Sequence, residues 1–449
     1  MGGRHQGLRR DSGIIKQAEQ LMITHEQNAA LTGVSRGRPL HNFLARFWYP
    51  VLKASDLKDR CTRKARLLGE NFVVARKGEQ LVALDESCPH RMTSLALARV
   101  EDGGLRCIYH GWLIDFKGRV AEAPNEREVG GRQQIKVRTP LVREAGGLIW
   151  MNICEDDGER APFPDLPWFH LPANQVVVVN AYCHSNWVQS LEGAIDSSHS
   201  SHLHSDEIVS KKATEASTAV GAGVSLQLIR PSTDRHPRIK VKDTDFGFVY
   251  GAIRTPTVDA DSQVYIRTSA FAFPCYVTFP SADTLGDLQI FVPIDETHTH
   301  FFYIRYSTHD SLEGLGLPDW SGMLPDRDID ERGYLRSSSL PDWGQDRAAM
   351  SAGESFTGIK GVNRQDVVVQ ESMGTIVDRT REHLGAADLA IVHFRRLLLR
   401  ATQGEGAAEP QFASAISYDG LKARDGLQSI EKDWSDLYAP GEINWVAAH

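Results

Sequence analysis

The sequence predicts an α+β protein. A small antiparallel β domain, residues 45–160, precedes a larger domain of antiparallel sheet plus helices, residues 161–449. Three observations predict this. Short apolar runs joined by tight glycine turns recur between residues 45 and 155. The proline-rich run Ala161-Pro162-Phe163-Pro164-Asp165-Leu166-Pro167 then interrupts the chain. Beyond it, a histidine-bearing helix and six strand candidates lead to a second helical region. A chain of 449 residues has room for two or three such cores.

Residues 1–44 read as an N-terminal tail and helical lead-in. Met1 to Gln20 is polar and lacks an apolar h-region, so no secretory signal is expected. Leu40 to Trp48 leads into the strands. Asn71–Ala75 and Gln80–Leu84 flank Lys77-Gly78 as a hairpin. A second hairpin joins Trp112–Phe116 to Val120 through Lys117-Gly118. A third turns at Gly146-Gly147 before Leu148–Met151. After the linker, Val176–Val179 reads as a buried strand and Asn186 to about His202 as a helix. Strands are predicted near Val224–Ile229, Phe246–Ala252, Val264–Ala270, Tyr276–Phe279, Leu288–Val292 and His300–Tyr306. Residues 308–360 are rich in Gly, Pro, Ser and Asp, which suggests a lid or an oligomer contact. Asp366 to Arg400 returns to helical character, with an apolar stripe through Leu389, Val392, Leu397 and Leu398. The last fifty residues, with Trp434 and Trp445, are expected to strap the surface.

The net charge of −8 argues against general nucleic-acid binding. Val51 to Ala145 carries 18 Lys/Arg against 13 Asp/Glu, a local balance of +5, so the remainder carries −13. A basic relay domain of this kind could steer an acidic redox partner, although an ordinary solvated surface accounts for it equally well. No apolar run approaches about 18 residues, so no membrane span is expected. Cys61, Cys154, Cys183 and Cys275 show no framework spacing and fit buried free thiols in a reducing cytoplasm.

The chemistry begins at Cys88-Pro89-His90, sixteen residues before Cys107-Ile108-Tyr109-His110. Each half supplies one thiolate and one imidazole. Two mixed halves can hold two irons, both sulfurs on one and both nitrogens on the other, as in a Rieske [2Fe–2S] centre. A structural zinc site is the alternative, although zinc spacings usually group Cys with Cys and His with His. A cluster of this type relays one electron at a time, so another part of the chain must use the electron.

Glu192 to His204 packs three histidines and two acids into 13 residues. Non-haem Fe(II) oxygenases hold iron by two His and one carboxylate on one face, leaving positions open for O2 and substrate. Helical spacing slightly favours His199 with His202, three apart. His199 with His204 requires the helix to end between them. Asp196 lies one turn before His199.

The chain resembles the oxygenase (α) subunits of the Rieske non-haem iron aromatic ring-hydroxylating oxygenases, in the phthalate 4,5-dioxygenase-like branch. The resemblance runs from about Met22 to Arg400. It is carried by Cys88-Pro89-His90-Arg91, Cys107-Ile108-Tyr109-His110-Gly111-Trp112, Leu191 through His199, and Gln365-Asp366 through Gly374. It implies a [2Fe–2S] cluster on Cys88, His90, Cys107 and His110, and a helix-grip catalytic domain. The family pattern D-x2-H-x4-H is matched by Asp196, His199 and His204, which makes His202 the extra residue. Asp366 matches the third iron ligand; nothing in the sequence itself separates it from the other acids. The resemblance further implies a homotrimer or a multiple of it. There Asp196 bridges His199 to His110 of the next subunit, and NADH electrons arrive through a reductase, with or without a ferredoxin.

The expected reaction is ring dihydroxylation of a carboxylated aromatic substrate. O-demethylation or another monooxygenation on the same metal sites is the alternative. A carboxylate needs a cation in the pocket, and Arg267 and Arg230, both in apolar strands, are the candidates. A non-catalytic Rieske electron-transfer protein is the rival of another class. It is disfavoured by the second metal motif and by Arg91 and Tyr109, which stand where respiratory-type proteins have a crosslinking cysteine pair. An ultraviolet–visible spectrum tests the first metal assignment. A ferric cluster is expected to be brown; a colourless protein with bound zinc would overturn it.

Overall fold

The computed structural model describes residues 23–126, 134–210, 228–281, 284–403, 418 and 421–438. Met1 to Gln20, most of the Val224–Ile229 strand and Trp445 lie outside them. The chain opens with helices α1 (His25–Thr32) and α2 (His41–Ala45). Thr24 and Gln27 cap α1 reciprocally, each side chain taking the other's backbone N–H.

The small domain is built of three antiparallel sheets. Strands β1 (Tyr49–Lys53), β2 (Thr62–Leu67), β3 (Glu70–Lys77), β4 (Gln80–Asp85), β5 (Arg99–Glu101) and β6 (Gly104–Arg106) come first. β7 (Leu113–Ile114), β8 (Val120–Glu122), β9 (Leu141–Ala145) and β10 (Leu148–Asn152) complete it. The sheet orders are β1-β10-β9, β2-β3-β4 and β5-β6-β7-β8. All three expected hairpins are present. In the third, Ala145 faces Leu148 across Gly146 and Gly147, at φ 58° and 76°. Two positive φ values make the type I′ turn that matches strand twist, and glycine adopts them without strain. A core containing Val73, Leu84, Leu105, Ile114 and Val120 encloses Cys88 and Cys107. The β1-β10-β9 sheet instead shares the core of the larger domain.

The larger domain holds β11 (Val176–Cys183), α3 (Trp187–Ile195), β12 (Ile208–Ser210), β13 (Leu228–Arg230), β14 (Arg238–Asp243), β15 (Gly247–Arg254) and β16 (Gln263–Ala272). β17 (Tyr276–Phe279), β18 (Leu285–Pro293), β19 (Thr299–Ser307), α4 (Leu317–Ser321), α5 (Arg347–Ala352), α6 (Val362–Ser372), α7 (Leu389–Ala401) and β20 (Asp425–Ser429) follow. The main sheet runs β11-β19-β18-β17-β16-β15-β14, and β20 also pairs with β16. β12 and β13 form a separate parallel pair. The expected C-terminal strap is thus partly a strand of this sheet, and Trp434 packs on Gly251. β14 was not expected because its alternating charges hide its apolar face. The first three residues of β11 are half-buried rather than buried.

Two helical expectations need correction. The helix predicted from Asn186 to His202 stops at Ile195. Asp196 Oδ1 accepts the backbone N–H of Ser198 at 2.7 Å and its hydroxyl at 2.6 Å. Such a side-chain turn competes with helical hydrogen bonding and ends the helix. The region Asp366–Arg400 is two helices, α6 and α7, separated at Gly374 with φ 87°. Among the described residues no helix is long and apolar enough to cross a membrane.

α3 is held on every side. At Gly193 the Gln370 side chain of α6 packs against the bare Cα, and a Cβ there would have to displace its amide end. Buried Glu192 accepts from Arg379 Nη2 at 2.9 Å and from Arg395 Nε at 2.6 Å. Arg379 also donates to Asn28 on α1. Burial pushes the Glu192 carboxyl up, but the two guanidiniums outweigh it and hold it below its ordinary value near 4.5. The network's contribution is therefore complete above that ordinary value and is lost as pH falls through the depressed one. Arg379→Met is expected to cost about 3–5 kcal/mol, because it leaves a buried carboxylate short of a partner. A urea midpoint equal to that of the unaltered protein would show the network to be dispensable.

Candidate metal centres

The two Cys–His loops repeat one backbone design. Cys88 N–H donates to Thr93 O at 2.8 Å and Met92 N–H to Cys88 O at 2.9 Å. Cys107 N–H donates to Trp112 O at 2.8 Å and Gly111 N–H to Cys107 O at 3.0 Å. Met92 and Gly111 occupy equivalent left-handed positions. The sulfurs are buried, and the imidazoles stand half-exposed at the loop tips with ring centroids 4.4 Å apart. His90 stacks on Trp112 at 4.6 Å, and Trp112 Nε1 donates to Asn125 Oδ1. Burial pushes the Cys88 thiol up to about 11. A thiolate is stable there only beside compensating positive charge, which the irons of a cluster supply. Sulfurs inside and nitrogens outside fit a [2Fe–2S] cluster whose histidine side faces solvent.

The turn at Asp196 sends the chain back so that His199, His204 and Asp366 meet. Their ligand atoms all lie within 4.8 Å of one another. His199 Nε2 is 3.1 Å from His204 Nε2, and Asp366 Oδ1 is 3.6 Å from the first and 3.1 Å from the second. His202, the partner that helical spacing favoured, is exposed and lies beside Phe356 instead. His199–Ser201 form a single 3-10 turn rather than a continuation of α3, so the α-helical spacing argument loses its basis.

The tautomers can be derived. Gln365 Nε2 donates to Thr357 Oγ1 at 3.1 Å and to Ile359 O at 2.8 Å, which turns its Oε1 toward His204 Nδ1 at 2.7 Å. His204 therefore carries its proton on Nδ1 and a lone pair on Nε2. His199 Nδ1 lies 3.6 Å from Asp196 Oδ2. Burial works to raise the Asp196 carboxyl, but His199 and Ser198 outweigh it and hold it at about 2. The two Nε2 atoms and the Asp366 carboxylate thus face one point, where a bound cation would satisfy all three. The donor set, nitrogen, nitrogen and oxygen, fits Fe(II). Gln365 was not singled out in the sequence, although it adjoins Asp366; consecutive residues of α6 grip the two nitrogens of one ring.

A cavity of about 720 Å3 opens beside these residues. Its walls include Ile208, Tyr250, Phe279, Trp320 and Val362, and it is lined by Arg267 but not by Arg230. Arg230 lies in a neighbouring cavity, where it donates to Ser201 Oγ and Ser200 Oγ, both at 2.9 Å. Arg254, absent from the expected set, is buried nearby and donates to Ser197 O. Burial first, then Arg267, lowers Arg230 to about 10; burial, then Arg230 and Arg267, lowers Arg254 to about 9. Asp425, 3.9 Å from Arg267, is the carboxylate ion-paired with this trio among the described residues.

A domain with paired Cys–His loops fit for a [2Fe–2S] cluster, joined to one that presents two imidazoles and a carboxylate to a cavity, defines the oxygenase subunit of a multicomponent oxidoreductase. Residues 47–139 match the family model of the Rieske [2Fe-2S] domain, and residues 152–447 that of the LigXa C-terminal domain like family. The chain is 36% identical to the phthalate 4,5-dioxygenase oxygenase subunit of Pseudomonas putida, over 93% of this chain and 95% of that one. It is 31% identical to the 5,5'-dehydrodivanillate O-demethylase oxygenase subunit of Sphingobium sp. (strain NBRC 103272 / SYK-6), over 84% and 80%. A solved structure, the reduced complex between oxygenase and ferredoxin in carbazole 1,9a-dioxygenase, shares the fold. Its TM-score is 0.53 at 18% identity, covering 90% of this chain and 97% of that one. The chain belongs to the Rieske non-haem iron aromatic ring-hydroxylating oxygenases, in the phthalate 4,5-dioxygenase-like branch. Members carry a Rieske cluster and a mononuclear iron, and NADH acts through a reductase in these systems.

Gln365→Leu is expected to release the His204 tautomer and weaken iron retention against a chelator about 10–100-fold. Equal retention in the leucine variant would remove Gln365 from the site's support.

Proposed function

We propose that this oxygenase acts on a carboxylated aromatic compound, with ring dihydroxylation as the outcome, and that His199, His204 and Asp366 hold its mononuclear iron. The observation that carries the substrate class is Arg267. It lines the cavity beside the iron ligands and is backed by two further buried arginines. Three guanidiniums with one ion-paired carboxylate leave a positive excess that a bound carboxylate would neutralise. Arg230 contributes through this field from behind the cavity. The phthalate relative supports the same class.

When bound, the cluster relays single electrons and the iron activates O2. The chain's own part is to position and to exclude. The apolar walls hold the ring against the iron ligands, Arg267 fixes its acid end, and burial keeps water from the reacting face.

We also propose that electrons enter at Asp196 from His110 of a neighbouring subunit in a homotrimer. Asp196 stays ionised and lines a second cavity, about 620 Å3, together with His199 and Asp366. Around the cluster histidines, Met92, Ile108 and Tyr109 are exposed, an apolar rim suited to docking. A reductase, directly or through a ferredoxin such as that of the carbazole complex, would load the cluster. The free thiols fit a cytoplasmic setting.

O-demethylation is the second reading, favoured by the 31% identity to the dehydrodivanillate O-demethylase subunit. Both readings meet one experiment: turnover with NADH and a reductase over phthalates, methoxybenzoates and biphenyl carboxylates, scored for diol and formaldehyde. Diol from an acid supports the first, formaldehyde the second, and turnover of neutral aromatics alone would contradict both.

Arg267→Ala is expected to raise KM for the acid about 10–100-fold, the cost of one charged hydrogen bond, with a smaller change in kcat. An unchanged KM would take Arg267 out of binding. Asp196→Asn is expected to keep both metals while NADH-coupled turnover falls about 10–100-fold. Near-full activity would end the bridging role.

A further inference from the structure

The cavity has a second polar end that the metal chemistry does not use. Asp287 on β18 and Arg305 on β19 are direct cross-strand partners, as are Gln289 and Tyr303 one step along. All four residues line the cavity. Arg305 Nε and Nη2 donate to the two Asp287 oxygens, each at 2.7 Å, and the Tyr303 hydroxyl donates to Asp287 Oδ1 at 2.6 Å. The guanidinium lies over the Trp320 ring at 5.4 Å. Its remaining nitrogen, Nη1, is buried and has no hydrogen-bond partner among the described residues.

Asn363 repeats the situation. It stands one helical turn before Asp366 on α6 and lines the same cavity. Its Oδ1 accepts from Gln289 Nε2 at 3.3 Å, while its Nδ2 is buried without a partner. Arg305 is only 1% and Asn363 only 2% exposed, so neither N–H group is satisfied by bulk water. A buried donor left unpaired costs about 1–3 kcal/mol, and a well-placed acceptor removes that cost.

The charge at this end is balanced. Asp287 already neutralises Arg305 with two hydrogen bonds, whereas the Arg267 end carries the excess of cations. The sheet order puts β19 three strands from β16, on the order of 14 Å between backbones. Arg267 and Arg305 line the same cavity from these separate strands. We infer that Arg305 Nη1 and Asn363 Nδ2 form an acceptor subsite for a neutral oxygen substituent, a hydroxyl, methoxy or carbonyl group. The substrate would then be an aromatic acid carrying such a group across the ring from its carboxylate, in preference to an aromatic dicarboxylate. This rests on the aromatic-acid reading above and narrows it.

The test is binding to the iron-loaded holoenzyme without O2 or reductase, so that nothing turns over, read by titration calorimetry. The probes are benzoate, 3- and 4-hydroxybenzoate, 3- and 4-methoxybenzoate, isophthalate and terephthalate. At least one neutral oxygen substituent is expected to tighten binding about tenfold over benzoate, while a second carboxylate gives no gain. Arg305→Met leaves Asp287 buried without its partner and risks misfolding, so Asn363→Leu carries the test. It should abolish most of the substituent's advantage and leave benzoate itself unchanged. Equal affinities across the neutral series, tighter binding of a dicarboxylate, or an advantage undiminished in Asn363→Leu would overturn this inference alone. If no benzoate binds at all, the aromatic-acid reading fails and the inference fails with it.

Discussion

His199 Nε2, His204 Nε2 and the Asp366 carboxylate are turned on one point, and the larger domain is arranged to hold them there. Gln365 holds the Nδ1 edge of the His204 ring, and Asp196 lies beside the Nδ1 edge of His199. The Asp196 turn stops α3 one step before the ligands, so that the chain can fold back and bring His204 to His199. The glycine contact between α3 and α6 brings Asp366 within reach, and the Glu192 network fixes α3 against α1 and α7. Each of these contacts costs something alone, whether a buried charge, a broken helix or a glycine. A cation at the meeting point offsets them together.

The two domains divide the chemistry by burial. In the small domain the sulfurs lie inside and the imidazoles outside, so charge can leave only through the histidine side. In the larger domain His199, His204 and Asp366 line a cavity between one broad sheet and the helices packed on it. That sheet also grades the polarity of the cavity. Its β16 side carries Arg267, loosely paired with Asp425 and backed by two more arginines, and its β18–β19 side carries an arginine already paired with aspartate. A ligand entering between them meets a field that orients it before any contact with the iron ligands.

The small domain was legible because its turns demand glycine and its metal loops demand Cys and His at fixed spacing. The two half-motifs even share a backbone design. The larger domain was less so. Helical periodicity over Asn186 to His202 gave no sign that Asp196 would capture the backbone of Ser198; its slight preference for His202 had to be overruled by the family pattern, and that capture is the physical reason it fails. Asp366 is one of 58 acidic residues, and only its family motif marked it. Arg230 and Arg267 looked alike because both sit in apolar strands, yet only Arg267 lines the cavity; Arg254, at the end of β15, gave the same weak signal. Gln365, Arg305 and Asn363 act through pairings across 8 to 161 residues of chain, which no local pattern encodes.

The central claim is that His199, His204 and Asp366 hold a mononuclear iron separate from the cluster. Iron quantification on reconstituted protein tests it most directly. The unaltered chain should bind about three irons, two in the cluster and one mononuclear, and Asp366→Ala about two, with the cluster's visible absorption unchanged. Three irons retained in Asp366→Ala, or only two in the unaltered chain, would contradict it.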